Sequence, residues 1–403
     1  MFNLTPMLRL NTEVTEAAPD PAGGWNVTTA AGTEHYEHLV IASGVFSHPF
    51  VPHYEGMDEL LKAGGTVMPA SELHDLDLVR DKHAVVVGYG KSACDVTVEV
   101  AKVAKSTTVV ARSLIWKMPR KIGGLVNYKF LMLTRLGEAL FPYQTRKGFE
   151  KVLHAGGSKM ANGMLGSIEK VTTRQLRLKK NGLVPGGTFA DIARATVSLA
   201  SEGFFEAVDA GDVTVQRDTE IVRFLEMDGK PHAELTSGVV IPADIVIAAT
   251  GWSQDIPFLP AEVMDKLLDE NGDYLLYQQI FPINVKDLTF AGYNSSFFSP
   301  LSAETSAIWI GSYLGGNHQP PDRETMLAQT RERLAWMRER SRGHHARGTN
   351  LIPFSLHNID ETLYEVGINV GRMTRITQWL MPPNPRAYRK ITPKLAKRMG
   401  VGR

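Results

Sequence analysis

The spacing of apolar and polar residues divides the chain into short buried strands and longer helical stretches. Trp25-Asn26-Val27-Thr28-Thr29 alternates and turns at Ala30-Ala31-Gly32-Thr33. This predicts a hairpin over 25–42 whose second strand closes in Leu39-Val40-Ile41-Ala42. That closing run is apolar at every position, the pattern of a strand covered on both faces. Ser43-Gly44 ends it, and Pro49 and Pro52 stiffen the connection that follows. Ala84 to Val87 is a second strand of this kind. Gly88-Tyr89-Gly90-Lys91-Ser92-Ala93 turns from it into a helix running from Lys91 to about Lys105, and Thr107 to Ala111 returns as a strand. Strand, helix and strand at this spacing form a βαβ unit, whose two strands pair in parallel.

Farther along, residues 122–180 carry helical stretches with many basic residues, and Ala190 to Glu206 predicts an amphipathic helix. Short strands follow at Asp212–Gln216, Thr219–Leu225 and His232–Thr236. Asp244 to Thr250 is another buried strand, ending in Gly251, and Leu288-Thr289-Phe290-Ala291-Gly292 repeats the form. Ser302–Leu314 and Arg323–Arg340 read as helices. No fixed-period repeat is present. The pattern is that of an α/β protein.

Composition narrows the chemistry. A chain of 403 residues is long enough for two cores, and its 43% hydrophobic and 22% charged content is ordinary for a globular protein. The net charge of +1 lacks the concentrated basic field that nucleic acid requires, so no nucleic-acid partner is expected. A single cysteine, Cys94, excludes internal disulfides and a cysteine-built metal site, and it is read as core packing. No metal is expected, and His344, His345 and His357 are read as part of a basic stretch. The first residues show no basic region followed by an apolar run, and no segment reaches 18 consecutive apolar residues. A cytoplasmic location without a signal peptide or spanning helix is therefore expected. From Val366 onward there are nine basic residues (Arg372, Arg375, Arg386, Arg389, Lys390, Lys394, Lys397, Arg398 and Arg403) and no acid. Two readings stay open for this stretch: a solvated tail, or a peripheral contact with anionic lipid through Trp379-Leu380-Met381.

The turn at 88–93 carries the strongest chemical signal. Gly88 permits the tight turn, Gly90 lets a pyrophosphate approach the backbone, and small Ala93 lets helix pack on strand. The helix N-terminus presents N–H groups and partial positive charge to phosphates. A purely structural glycine turn is the alternative. Where an NAD site usually places an acid at the end of the second strand, this chain has Arg112, which suits a 2′-phosphate and favours NADPH. Lys117 and Arg120 lie near enough in sequence to assist, while a solvated arginine at a strand end is the plain alternative. Ser92 belongs to the turn and is not read as a nucleophile.

These segments resemble the flavin-containing monooxygenases and their Baeyer–Villiger relatives, flavoproteins with two dinucleotide-binding domains. The resemblance runs from about Leu8 to about Arg340. It is carried by Leu39-Val40-Ile41-Ala42-Ser43-Gly44 with Pro49 and Pro52, by Val85-Val86-Val87-Gly88-Tyr89-Gly90-Lys91-Ser92-Ala93, by Ala248-Ala249-Thr250-Gly251-Trp252, and by Leu288–Gly292 with Ala303-Glu304-Thr305. It implies a Rossmann-like NADPH domain over 79–249, inserted in an FAD/NAD(P)-binding-type domain built from 1–78 and 250–340, with 341–403 as a basic tail. The sequence departs from the family in two places. No G-x-G-x-x-G precedes Leu39, so the flavin-type domain is expected to be truncated at its N-terminus by about one βαβ unit. In the family's F-x-G-x-x-x-H-x-x-x-F/W signature, expected over Ala63–Leu73, Gly65 is kept but Ala63, Pro69 and Leu73 replace the other marked residues.

The resemblance implies FAD and NADPH as cofactors and a small organic substrate with molecular oxygen as co-substrate. Hydride from NADPH would reduce FAD, a peroxyflavin would form, and one oxygen would pass to a nitrogen or sulfur centre or to a ketone. Gly88, Tyr89, Gly90, Lys91, Ser92 and Ala93 are the expected diphosphate residues and Arg112 the 2′-phosphate residue. Ser43, Gly44, Thr250, Gly251 and Gly292 are expected where backbone passes beside cofactor. Asn294 is read either as facing a flavin or as an ordinary loop residue. No catalytic acid or base is named. The alternatives are an NADP(H)-binding paralogue without stable FAD and a flavoprotein reductase.

Overall fold

A computed structural model describes residues 4–155, 158–194, 199–352 and 354–398. The chain divides into two compact units. One combines the chain up to Ser47 with Gln254–Val370 and the chain from Pro385; the other holds His48–Ser253 and Gly371–Asn384. Both junctions lie away from the sequence-based boundaries at 78/79 and 249/250. Two sets of pairings put them there: residues 66–69 belong to the parallel sheet of the second unit, and His48–Pro49 pairs with Trp252–Ser253.

The first unit opens with an antiparallel meander, β1 (Val14–Pro19), β2 (Trp25–Thr29) and β3 (Gly32–Tyr36). Alternation on β2 puts Trp25 and Val27 into the core beside Ala17, while β3 is exposed at every position. The hairpin predicted over 25–42 thus ends at Tyr36, opposite Trp25, because the residues after it pair with a distant strand instead. Leu39–Ile41 is a separate strand, β4. Val40 is 41% exposed, so the expectation that this strand is covered on both faces fails. Among the described residues, β4 has one neighbouring strand and no second layer over Val40.

The second unit is built on five parallel strands: β5 (Thr66–Pro69), β6 (His83–Val87), β7 (Ser106–Ala111), β8 (Val213–Arg217) and β9 (Ile245–Ala248), in the order β8-β7-β6-β9-β5. β6 and β9 are apolar on both faces because each is flanked by strands and covered by other elements. Val85, Val110 and Val246 share a core with Leu60, Phe224 and Ile241, the last two from an antiparallel sheet over residues 221–242. Helix α1 (Lys91–Val100) joins β6 to β7, as the βαβ reading requires.

The helix predicted over 190–206 is not a single element. Phe189–Arg194 is a 3-10 turn held by the Phe189 N–H on Glu169, residues 195–198 lie outside the described residues, and α2 (Phe204–Ala210) starts only after Gly203 at φ +84. That positive φ cannot continue a right-handed helix.

Back in the first unit, β10 (Leu288–Phe290) pairs in parallel with β4, Leu288 opposite Leu39. Helices α3 (Ser299–Leu314), α4 (Arg323–Ser341) and α5 (Ser355–Glu365) surround a core containing Trp309, Met326, Leu334 and Ile359. The basic stretch from Val366 is not a peripheral tail. Helix α6 (Arg372–Thr377) clusters with the second unit, where buried Gln378 accepts from Arg135 at 3.0 Å and Trp379 sets its ring edge-on to Phe149. Helix α7 (Ile391–Arg398) sends Ile391 and Leu395 into the core that holds Trp309. On α7 the cationic residues lie beside the buried Ile391 and Leu395, whereas α6 and the residues after it expose Met373, Ile376, Leu380 and Met381 along with Arg372 and Arg375.

A buried ion cluster ties α4 to the turn before residue 274. Asp273 is 3% exposed, accepts from His345 Nε2 at 2.8 Å and from Arg338 Nη2 at 2.5 Å, while Asp269 accepts from the backbone N–H groups of Asn271 and Asp273. Burial pushes the Asp273 carboxyl up, but the bonds from His345 and Arg338 outweigh it and hold it below its ordinary value. A carboxyl depressed in the folded state contributes stability that is present above the unfolded value and lost as pH falls through the folded one. The first unit is therefore expected to lose stability as pH drops below about 4. Asp273→Ala, which leaves His345 and Arg338 without their acceptor, should cost about 2–4 kcal/mol in urea unfolding at neutral pH and flatten that acid dependence.

Candidate functional site

The loop between β6 and α1 lies at the carboxyl end of the parallel sheet, where α/β sheets bind ligands. Its two glycines serve different needs. Gly88 takes φ +125, and a Cβ there would stand 2.6 Å from the Ala249 carbonyl oxygen at the end of β9. The Gly88 N–H bonds Val110 O at 2.9 Å and the Ala249 N–H bonds Val87 O at 2.9 Å, so position 88 is wedged between β7 and β9. Gly90 has ordinary extended backbone (φ −70, ψ −175), and a Cβ built on it meets nothing within 4 Å. The residue type at Gly90 is thus not explained by the protein's own packing. It leaves a cradle at the mouth of α1, which has no side-chain cap on its first turn. Ala93 is fully buried and lies 3.5 Å from the same Cβ position of Gly88, as close helix–strand packing demands.

The other residues of the turn divide by exposure. Ser92 is exposed; Lys91 pairs with Asp95, and its ammonium lies 3.4 Å from Ser201 Oγ. Tyr89 points inward, 5% exposed, with its ring edge-on to Phe204, and burial pushes its hydroxyl far above the ordinary range. It is a packing residue of the turn. Arg112 is exposed immediately beyond β7, where the sequence reading put it. Of its two expected helpers, Arg120 is exposed and pairs with Glu202 at 3.2 Å. Lys117 requires a correction: it is 1% exposed and donates to the Tyr89 carbonyl at 2.7 Å, so it is sealed beneath the turn and unavailable to a 2′-phosphate. Proximity in sequence missed this. The apolar flanks Trp116 and Met118, both 2% exposed, were the available signal.

Thr250 and Gly251 continue from β9. The Thr250 hydroxyl donates to the Phe50 carbonyl, and the Phe50 N–H returns to Gly251 O at 2.9 Å. This pair therefore stitches the segment to residues 48–50, and Gly251, at φ +102, has open space where a Cβ would stand.

The remaining expected residues lie in the first unit. Gly44 (φ +81) ends β4 with nothing within 4 Å of its Cβ position, and Gly292 (φ +84) ends β10 with Ala303 Cβ at 3.7 Å. Ser43 lies beside the fully buried Tyr293, whose hydroxyl is pushed up by burial and drawn back by that serine. Asn294 is 1% exposed and donates to Asn358 Oδ1 at 3.0 Å and Ser306 Oγ at 3.2 Å, so it ties α3 to α5 as a buried structural residue. Gly44 and Gly292 thus lie just beyond the paired ends of β4 and β10. Among the described residues of this unit, no strand leads through a glycine turn into a helix before β4. Among the described residues there is also no cluster of three His, Cys, Asp or Glu suited to a metal, and no helix long and apolar enough to cross a membrane.

Comparison with known proteins accords with this geometry. The family described as "Pyridine nucleotide-disulphide oxidoreductase" matches residues 5–124, and "Flavin-binding monooxygenase-like" matches residues 214–370. The chain is 21% identical over 349 residues to flavin-containing monooxygenase 1 of Mus musculus, covering 82% of this chain and 59% of that protein. It is 26% identical over 278 residues to a probable indole-3-pyruvate monooxygenase of Arabidopsis thaliana, covering 67% of this chain and 61% of that protein. It thus spans about three fifths of the length of these curated relatives. In fold it is similar to cyclohexanone monooxygenase from Rhodococcus sp. Phi1 bound to NADP+, with a TM-score of 0.55 and 16% identity over 84% of this chain and 72% of that one. The family models and the curated relatives all point to the flavin monooxygenase superfamily, to which this chain is similar.

Proposed function

We propose that the chain binds NADPH at the 88–93 turn and acts as an NADPH-dependent flavoprotein monooxygenase, adding one oxygen atom of O₂ to a nitrogen or sulfur centre or a ketone of a small organic substrate. The observation that carries this reading is the empty cradle at Gly90, open on the mouth of α1 in a superfamily of monooxygenases. Gly90, Lys91 and Ser92 would receive the diphosphate, whose negative charge is favoured by the N–H groups and partial positive charge of the helix end. Arg112 would take the 2′-phosphate through charge-assisted bonds. Ser43, Gly44 and Gly292 would line the flavin, and FAD, when bound, supplies the oxygen chemistry. The protein's own contributions are binding, orientation and exclusion of water, and no side chain is assigned a proton transfer.

A second reading is favoured by one observation: the described residues hold a diphosphate cradle in the second unit and none before β4 in the first. In that reading the chain is an NADP(H)-binding protein that retains no flavin. The visible spectrum of the purified chain separates the two. A yellow chromophore bleached by NADPH supports the monooxygenase, and a colourless protein that still binds NADPH supports the second reading. Product analysis with amines, sulfides and ketones completes the test, since NADPH consumption yielding peroxide alone indicates a flavoprotein reductase.

Two substitutions address the coenzyme site. Arg112→Ala should weaken NADPH by about 1.5–3 kcal/mol and leave NADH nearly unchanged in calorimetric titration, and equal loss for both would defeat the 2′-phosphate assignment. Gly90→Val should abolish binding of both coenzymes while the melting temperature stays near wild type, because the new side chain enters space the protein leaves empty. Retained binding in that variant would count against the cradle.

A further inference from the structure

Lys117 follows β7 between Trp116 and Met118 and is itself 1% exposed. Burying an ammonium is costly unless it is hydrogen-bonded and electrostatically supported. Its Nζ donates to the Tyr89 carbonyl at 2.7 Å and stands 4.7 Å from the centroid of the Tyr89 ring. The groups around it are the Cys94 thiol, Lys91 and Asp95, and Asp95 is itself engaged by Lys91. Burial lowers the proton affinity of Lys117, with the Cys94 thiol opposing that effect, so the ammonium is held without a dedicated carboxylate. Its strongest partner is thus a backbone carbonyl inside the nucleotide turn.

That partner has a consequence for the turn. A trans peptide is planar, with its C=O and N–H pointing in opposite directions. Tyr89 contributes the C=O and Gly90 the N–H of one such peptide. Because the C=O is taken from within by Lys117, the Gly90 N–H is turned to the side away from Lys117. Gly90 is also the position whose Cβ space is empty. A backbone N–H fixed outward at the mouth of a helix adds to an anion-binding concavity.

We propose that Lys117 is a positioning residue of the coenzyme site, holding the Tyr89 carbonyl inward so that the Gly90 N–H stays presented to the diphosphate of the dinucleotide. This inference rests on the reading of the 88–93 turn as the NADPH site. It differs from the role of Arg112 in one measurable respect. The diphosphate is common to NADPH and NADH, so loss of Lys117 acts on both coenzymes alike.

The test measures dissociation constants for NADPH and NADH with wild type, Lys117→Met and Lys117→Gln, well below each protein's melting temperature. Lys117→Met removes the donor and should weaken both coenzymes by about tenfold or more, the scale of one lost hydrogen bond to a charged group, with their ratio unchanged. Lys117→Gln keeps a donor for the carbonyl and should stay within about threefold of wild type, which a loss of charge or of packing alone does not predict. A folded Lys117→Met that binds both coenzymes like wild type overturns the proposal, as does a loss confined to NADPH or a Lys117→Gln as weak as Lys117→Met. Should Lys117→Met fail to fold, Lys117→Gln and amide hydrogen exchange of wild type carry the test. Slower exchange at Gly90 on saturation with NADP+ supports the proposal, and unchanged exchange there overturns it. A wild type that binds neither coenzyme defeats the coenzyme-site reading itself, an outcome distinct from all of these.

Discussion

The carbonyl of Ala249 approaches position 88 so closely that a Cβ there would stand 2.6 Å away. The carboxyl ends of β6 and β9 are drawn together at this point, and only a residue without a side chain and at ease at φ +125 can occupy it. The direction of the chain after β6, the entry of α1 and the packing of Ala93 on the strand all follow from that approach. The mouth of α1 is thereby fixed at the edge of the sheet, its first-turn N–H groups without a side-chain cap. Gly90 caps α1 by accepting from the Cys94 N–H at 3.2 Å, and its missing side chain leaves the mouth of the helix open. One glycine shapes the turn and the other keeps it accessible.

Beneath the turn the protein accepts an expensive device. Tyr89, Cys94 and Lys117 form a buried set in which the ring and thiol are pushed toward their neutral forms by burial, and the ammonium is pushed the same way. An apolar side chain of similar volume would fill the space below Tyr89, but it would leave the Tyr89 carbonyl with only the long contact from the Cys94 thiol at 3.9 Å. A buried polar group without a partner is a larger loss than the net gain from a typical satisfied one. The first unit shows the same preference for satisfied carboxylates at buried Asp273, where His345 and Arg338 converge, and at part-buried Glu365, which accepts from Tyr277, Gln278 and Trp309.

The two units differ in how fully their strands are covered. In the second, β6 and β9 have strands on either side, which explains why their apolar runs are continuous. In the first, β4 carries the same kind of run, Leu39-Val40-Ile41, yet pairs with β10 alone among the described strands and leaves Val40 exposed.

Local pattern by itself determined the βαβ unit, the glycine turn and the residue at the end of β7, because strand periodicity, glycine chemistry and helix entry act over a few residues. It also located β8, β9 and β10 and the two long helices, whose apolar spacing is strong. Long-range pairing decided the rest. Leu39–Ile41 became a parallel strand because its partner lies some 250 residues away in sequence at Leu288–Phe290, and no local signal distinguishes that from the return of a hairpin. The basic stretch after Val366 looked like a tail because its charges are conspicuous, yet Gln378, Ile391 and Leu395 bury themselves against elements far upstream. Lys117 looked like a surface cation beside Arg112, and only the tertiary structure turned it inward, because a carbonyl 28 residues earlier in the chain needed a donor.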